Sequence, residues 1–179
     1  SKFTFLQPIT NNYSIDLDGT DDYINLGNSS TIKLTTTDTS AGIGMSMAVW
    51  CKADDWNVTS IGPLLNCIQS GGWKLDWSNR MIFQVQAGGS YNTVQSAYKP
   101  FETDGVDPHF RASGWHLIAG TFDGRYLKIY VDGTLEATTD IGSDDNAITY
   151  GTGDNNVDVL IGADPGPLTG GVSGTSTST

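Results

Sequence analysis

Apolar and polar residues alternate with a period of two along most of this chain, and the spacing of an amphipathic helix is almost absent. Met45, Met47, Val49 and Cys51 fall on one side of an expected strand, with Ser46, Ala48, Trp50 and Lys52 on the other. Trp73, Leu75 and Trp77 alternate with Lys74 and Asp76, and Met81, Phe83 and Val85 with Gln84 and Gln86. The most regular run sets Leu127, Ile129 and Val131 against Lys128, Tyr130 and Asp132, and shorter ones occur at Phe3 to Phe5, Ile15 to Leu17 and Trp115 to Ala119. Such alternation describes half-buried antiparallel strands, one face on a core and the other in water. If strands 46–52 and 63–69, joined by a loop centred near Thr59, form an antiparallel pair, Cys51 comes to lie opposite Cys67.

Asp18-Gly19, Gly71-Gly72, Gly88-Gly89, Asp123-Gly124 and Asp132-Gly133 separate these runs. Each supplies a residue that tolerates the positive φ of a tight turn. Eight or more short strands punctuated at this density predict an all-β, two-sheet antiparallel sandwich and not a βαβ fold. The irregular stretches 28–44, 53–62, 99–113 and 140–156 are expected at the sandwich ends, where binding loops are carried. From Pro165 onward the chain turns to Gly, Ser, Thr and Pro, which bury too little apolar area to offset their ordering entropy. One domain over 1–164 and a flexible tail or linker over 165–179 is the expected organisation.

Charge narrows the function. Nine Lys+Arg against 20 Asp+Glu give a net charge of -11 over 179 residues, which opposes binding to phosphate backbones, so nucleic acid is not an expected partner. No apolar run reaches the length that inserts in a membrane as a helix. Of the 20 acids only Glu102 and Glu136 are glutamates. The aspartate excess suits turns and oxygen-donor cation sites more than helices.

Catalytic patterns are missing. Paired-carboxylate glycoside cleavage needs two acids held close together, yet the two glutamates lie in different expected elements. The imidazoles are His109 and His116, no Gly-x-Ser-x-Gly elbow occurs, and neither cysteine has a histidine near it in sequence. His116, within a strand, reads as a packed or surface imidazole. Cys51 and Cys67 read as two small buried thiols, with a single bridge as the alternative. The densest acid cluster, Asp16, Asp18, Asp21 and Asp22, lacks the Gly and Glu positions of an EF-hand loop. It reads either as a turn capped by its own side chains or as a site for a hard cation. The chain is thus expected to be no enzyme.

Aromatic rings stack on the apolar faces of sugars while amides and acids fix hydroxyls beside them. Trp50 and Tyr130 alternate opposite the aliphatic rows of their own strands, and Tyr91, Gln84 and Gln86 complete the expected ligand-binding residues. Trp73, Trp77 and Trp115, which share faces with Leu75 and Leu117, are expected in the core.

Asp16-Leu17-Asp18-Gly19-Thr20-Asp21-Asp22-Tyr23-Ile24, Met47-Ala48-Val49-Trp50-Cys51-Lys52, Gly114-Trp115-His116-Leu117-Ile118-Ala119-Gly120-Thr121-Phe122-Asp123-Gly124, Leu127-Lys128-Ile129-Tyr130-Val131-Asp132-Gly133 and Leu160-Ile161-Gly162-Ala163 follow one another in that order. As a set they resemble the laminin-G-like, concanavalin A-like jelly-roll domains of the lectin/glucanase superfamily, a group that includes the pentraxins, over about residues 13–164. The resemblance implies a jelly-roll sandwich of two curved antiparallel sheets that binds glycans or proteins, often with Ca²⁺ at its loop ends. It implies Asp164 as a candidate metal ligand, next to Asp18 and Asp22 from the acid cluster, although Gln69-Ser70-Gly71-Gly72 brings no carboxylate where pentraxin-like members have one. A closing Gly-x-Ile-Asp-Glu-Val strand is missing from this chain. The expected explanations are a longer parent polypeptide, Ser1 to Leu6 in that slot, or a neighbouring chain.

A looser similarity links Asn12 to Gly19 with modules of phage and other viral structural proteins. The expected function is a non-catalytic recognition module for carbohydrate binding or adhesion, at an extracellular or virion surface. The alternatives are a capsid-decoration or tail-fibre component that contacts protein subunits, as a homo-oligomer or with neighbouring virion proteins, and an accessory domain of a glycan-degrading enzyme.

Overall fold

A computed structural model describes residues 13–28, 32, 44–53, 62–78, 80–96, 114–144, 146–152, 156–165 and 172–175. Twelve strands occur among them. One sheet has the order β1 (Ile24–Asn25), β10 (Leu160–Ile161), β3 (Gly62–Asn66), β4 (Trp73–Trp77), β5 (Met81–Ala87), β6 (Ser90–Gln95). The other has the order β2 (Met45–Cys51), β7 (His116–Phe122), β8 (Tyr126–Val131), β9 (Thr134–Asp140). β11 (Ala163–Pro165) and β12 (Val172–Thr175) form a separate antiparallel pair. All pairings are antiparallel. The jelly-roll sandwich read from the sequence is the fold.

The alternation works as expected where two sheets face each other. Trp73, Leu75, Trp77, Met81, Phe83 and Val85 of the larger sheet are buried against Met45, Met47, Ile118, Leu127, Ile129 and Val131 of the smaller, each large apolar side chain stabilising the sandwich by ~1.5–3 kcal/mol. The sheets approach each other closely at Gly120 on β7, where a Cβ would sit 2.6 Å from Cγ of the fully buried Phe83. The five turn dipeptides behave as their sequence dictates. At the β8–β9 turn both central residues, Asp132 (φ 49) and Gly133 (φ 83), take the left-handed conformation that a two-residue hairpin loop requires.

Four expectations are corrected. β2 and β3 lie in different sheets, β2 pairing with β7 and β3 with β4 and β10. Cys51 and Cys67 are therefore not cross-strand partners; both are free thiols, as expected, Cys67 buried and Cys51 partly so. The chain crosses from one sheet to the other between β2 and β3, and period-two patterning carries no signal for that choice. Ile15 to Leu17 is not a strand, and Ile15 is exposed; pairing begins only at Ile24. Trp115 is 50% exposed because it and Leu117 project from the outer side of β7, whereas Trp73 and Trp77 are core residues as expected. Val172–Thr175 pairs with β11, inside the stretch read as a tail. Phe3 to Phe5 and most of 28–44, 53–62 and 99–113 lie outside the described residues.

Candidate functional site

Strand register places the expected ligand-binding residues on two opposite surfaces. Trp50 and Tyr130 belong to the smaller sheet and Gln84, Gln86 and Tyr91 to the larger. The single aromatic-plus-amide surface expected from the sequence is thus divided. Alternation tells which residues face outward from a strand, but not which sheet the strand joins.

On the outer face of the smaller sheet, registered neighbours form three rows. Trp50 pairs with Leu117. Ala48, Ala119, Tyr130 and Leu135 form the next row, and Ser46, Thr121, Lys128 and Thr138 the one after it. Trp50 is 62% exposed and Leu135 50%, while Leu117, Ala119 and Tyr130 are half-buried. An apolar band therefore lies beside a band of three hydroxyls and one ammonium. Strands ~4.8 Å apart with a rise of ~3.4 Å per residue put the Trp50 and Tyr130 Cα atoms roughly 12 Å apart. Along β8 the outward residues are Tyr126, Lys128 and Tyr130; Arg125 and Lys128 lie 5.0 and 6.0 Å from the Tyr126 ring centroid. Lys128, Thr121, Thr138 and Leu135 were not singled out in the sequence, although the period-two register of β8 places Lys128 between two outward tyrosines.

The outer face of the larger sheet is more polar. Gln84 Nε2 donates to Thr93 Oγ1 at 2.7 Å, and Tyr91, opposite Gln86, is 48% exposed. Two strands away, the buried Asp76 carboxylate pairs with Lys74 Nζ at 2.6 Å. Burial pushes the Asp76 carboxyl above the usual carboxylate range despite the opposing lysine. Asn66 Nδ2 donates to Asp164 Oδ1 at 3.2 Å. The Asp164 carboxyl is also raised, first by burial and then by the charge of Asp76.

Among the described residues, the three carboxylates that converge are Asp18, Asp21 and Asp22, each offering an oxygen within 4.8 Å of the others. Asp164 is not part of that group, and Asp21 takes its place beside the expected Asp18 and Asp22. Both readings of this segment have support: Asp18 Oδ1 accepts from Thr20 N at 2.8 Å and Asp22 Oδ2 from Asp18 N at 3.2 Å, and the remaining lone pairs form an all-oxygen donor set suited to Ca²⁺.

A cysteine, a histidine and an aspartate also meet. Cys51 lies directly across from His116, whose Nδ1 is 2.8 Å from Asp132 Oδ2. The other Asp132 oxygen accepts from Leu117 N at 2.9 Å. Burial and then the charge of Asp132 push the Cys51 thiol up to about 12, the opposite of what a thiolate nucleophile requires.

A family profile described as the Concanavalin A-like lectin/glucanases superfamily matches residues 18–175. Among solved structures, the IT-sialidase CBM40 of Ruminococcus gnavus superposes with a TM-score of 0.60 at 18% identity, over 92% of this chain and 84% of that one. The binding domain of Paraclostridial Mosquitocidal Protein 1 gives a TM-score of 0.55 at 12% identity, over 90% of this chain and 38% of the other. Domains LG4-5 of the mouse laminin alpha1 chain give 0.50 at 11% identity, over 87% and 36%. The chain thus spans well under half the length of these last two and most of the first; at such identities the likeness is one of fold. No curated protein sequence matches.

Proposed function

Because the chain belongs to the concanavalin A-like lectin/glucanase superfamily, we propose that it is a non-catalytic recognition module that binds carbohydrate on the outer face of the four-stranded sheet. The observation that carries this role is the exposed Trp50 indole on the same face as Tyr130, with a row of hydroxyls alongside. Exposed aromatic surface of this kind is costly to leave in water without a partner, and flat rings beside hydrogen-bonding groups suit the alternating C–H and O–H character of a sugar. Gln84, Gln86 and Tyr91 face the other way and take no part. Titration against a glycan array with Trp50→Ala and Tyr130→Ala tests the assignment. Each variant is expected to lose at least tenfold in affinity, and unchanged binding by both overturns it.

The exposed Ala48 and Leu135 also favour a second reading, in which this face docks against protein, as in an adhesive or virion assembly. A monomeric mass in solution together with glycan binding decides against it. In either case the module works at an extracellular or virion surface, as a part of whatever larger protein carries it. For the Asp18, Asp21 and Asp22 turn, carboxylate chemistry selects Ca²⁺ as the ion to test. Calorimetry with Asp22→Asn is expected to abolish Ca²⁺ heats, and their absence in the unaltered protein returns the cluster to a purely structural turn.

A further inference from the structure

On the larger sheet, polar side chains gather on the side of β3 and β4 that faces away from the core. Leu65 and Leu75 are registered partners that pack into the core cluster, so the next pair, Asn66 and Lys74, projects the opposite way, together with Asp76 two residues along β4. Asn66 and Asp76 nevertheless have no exposed surface. Lys74 Nζ lies 2.6 Å from Asp76 Oδ2, and the Asp76 oxygens accept no well-aligned hydrogen bond among the described residues. As a device for stability such a buried pair is poor, because desolvation offsets much of the attraction.

The carboxamide of Asn66, in contrast, is held at both ends. Its Oδ1 accepts from the Ile68 amide at 2.8 Å, and its Nδ2 donates to Asp164 Oδ1 at 3.2 Å. The first bond polarises the carbonyl and stabilises the oxyanion that forms when a nucleophile adds at Cγ; the second fixes the plane of the group. Lys74 already spans a two-residue step of roughly 7 Å along its own strand to reach Asp76, which exceeds the ~4.5–5.5 Å between Cβ atoms of directly opposed residues. Its side chain is therefore long enough to reach Asn66 as well.

We infer that Lys74 and Asn66 are a site of intramolecular amide formation, in which Nζ displaces the side-chain ammonia of Asn66 and joins β4 covalently to β3. Asp76 carries the protons. It takes one from the Lys74 ammonium, the neutral Nζ adds to Cγ with the Ile68 N–H on the oxyanion, and Asp76 passes that proton to Nδ2 as the Cγ–Nδ2 bond breaks and its electron pair leaves with ammonia. The second Nζ proton follows by the same route, so one ammonium ion departs, Asp76 is restored, and no oxidant, reductant or other reactant enters. Burial, which pushes the Asp76 carboxyl above the usual carboxylate range, makes it the stronger base for this relay. The lack of exposed surface at Asn66 and Asp76 keeps water from competing at Cγ.

Mass spectrometry of the purified chain tests the bond, whatever the outcome for glycan binding. The intact mass is expected to fall below that of the sequence by about 17 Da, one ammonia. Lys74 is the only lysine or arginine between Lys52 and Arg80, and trypsin does not cut at an acylated lysine, so residues 53–80 should appear as one peptide carrying that loss. Lys74→Arg and Asp76→Asn should each restore the full mass. An unaltered intact mass with cleavage after Lys74 overturns the inference, and this result requires no variant to fold. A loss of about 18 Da, one water, would join Lys74 to Asp76 instead and also overturns it. An ammonia loss that survives Lys74→Arg marks a cyclic imide at Asn66 and overturns the cross-strand bond, and one that survives Asp76→Asn overturns the proton relay.

Discussion

Gly120→Ala probes the contact on which the registration of the two sheets depends. The added Cβ would lie 2.6, 2.8 and 3.0 Å from Cγ, Cδ2 and Cδ1 of Phe83. Phe83 has no exposed surface and is enclosed by core neighbours, so its ring has no free direction in which to move. Overpacking of this kind costs ~1–3 kcal/mol. Gly120 is not among the positive-φ residues, so alanine fits its backbone and recovers ~0.4–1 kcal/mol through the unfolded state. The net loss is about 1–2 kcal/mol, which for a chain of this size corresponds to a fall in Tm of roughly 2–8 °C. Thermal and urea unfolding measure it directly. In a double-mutant cycle, Phe83→Leu should relieve part of the strain, so that the two losses sum to more than that of the double variant. An unchanged or raised Tm for Gly120→Ala, or strictly additive losses, would refute the packing of β7 against β5.

Three further outcomes follow from burial and charge. Trp77→Ala should cost ~3–5 kcal/mol, as for a large core side chain, whereas Trp115→Ala, at a half-exposed position, should cost under about 1 kcal/mol; similar losses would contradict the placement of Trp115 outside the core. Asp164→Asn, with chelator present, should raise the urea midpoint at pH 7, because burial and then Asp76 hold the Asp164 carboxyl above its ordinary value and disfavour its ionised form. The folded state binds the extra proton, so the gain should fade as pH drops through the raised folded pKa toward the ordinary ~3.9; an advantage undiminished at pH 4 would exclude that origin. Cys51, pushed up to about 12, should be thiolate to only ~10⁻⁴ at pH 8, so iodoacetamide should modify it far more slowly in the folded chain than in urea.

Much of the fold was legible because alternation and turn chemistry are local. Leu127, Ile129 and Val131 each disappear into the core, and Asp132-Gly133 turns where only residues tolerant of positive φ fit. Sheet membership was less legible. The sequence connects β2 to β3 directly, yet the pairing of Met45 to Cys51 with His116 to Phe122 is settled by side chains more than sixty residues away. The same limit applies to the candidate site: outward-facing Trp50, Gln84 and Tyr130 could be found one strand at a time, but not the sandwich that puts Gln84 on the far side. Sharing a face with Leu117 predicts burial for Trp115, whereas that face is the outer one and Trp115 is half-exposed. At the acidic turn, composition flagged the cluster, but only the chain's path shows that Asp21 joins Asp18 and Asp22 while Asp164 bonds to Asn66.

Cys51, His116 and Asp132 show why residue types alone do not define a function. Their order is that of a thiol, a base and the base's orienting acid, and the His116–Asp132 distance of 2.8 Å would serve such a relay. The electrostatics run the other way. A nucleophilic cysteine needs positive charge and access to water, whereas Cys51 is enclosed and feels the Asp132 carboxylate. Asp132 instead ties both His116 and the Leu117 amide to the left-handed β8–β9 turn, fixing the end of β7 on which Leu117 projects beside Trp50. The three residues hold a strand end in register and, through it, the edge of the aromatic surface.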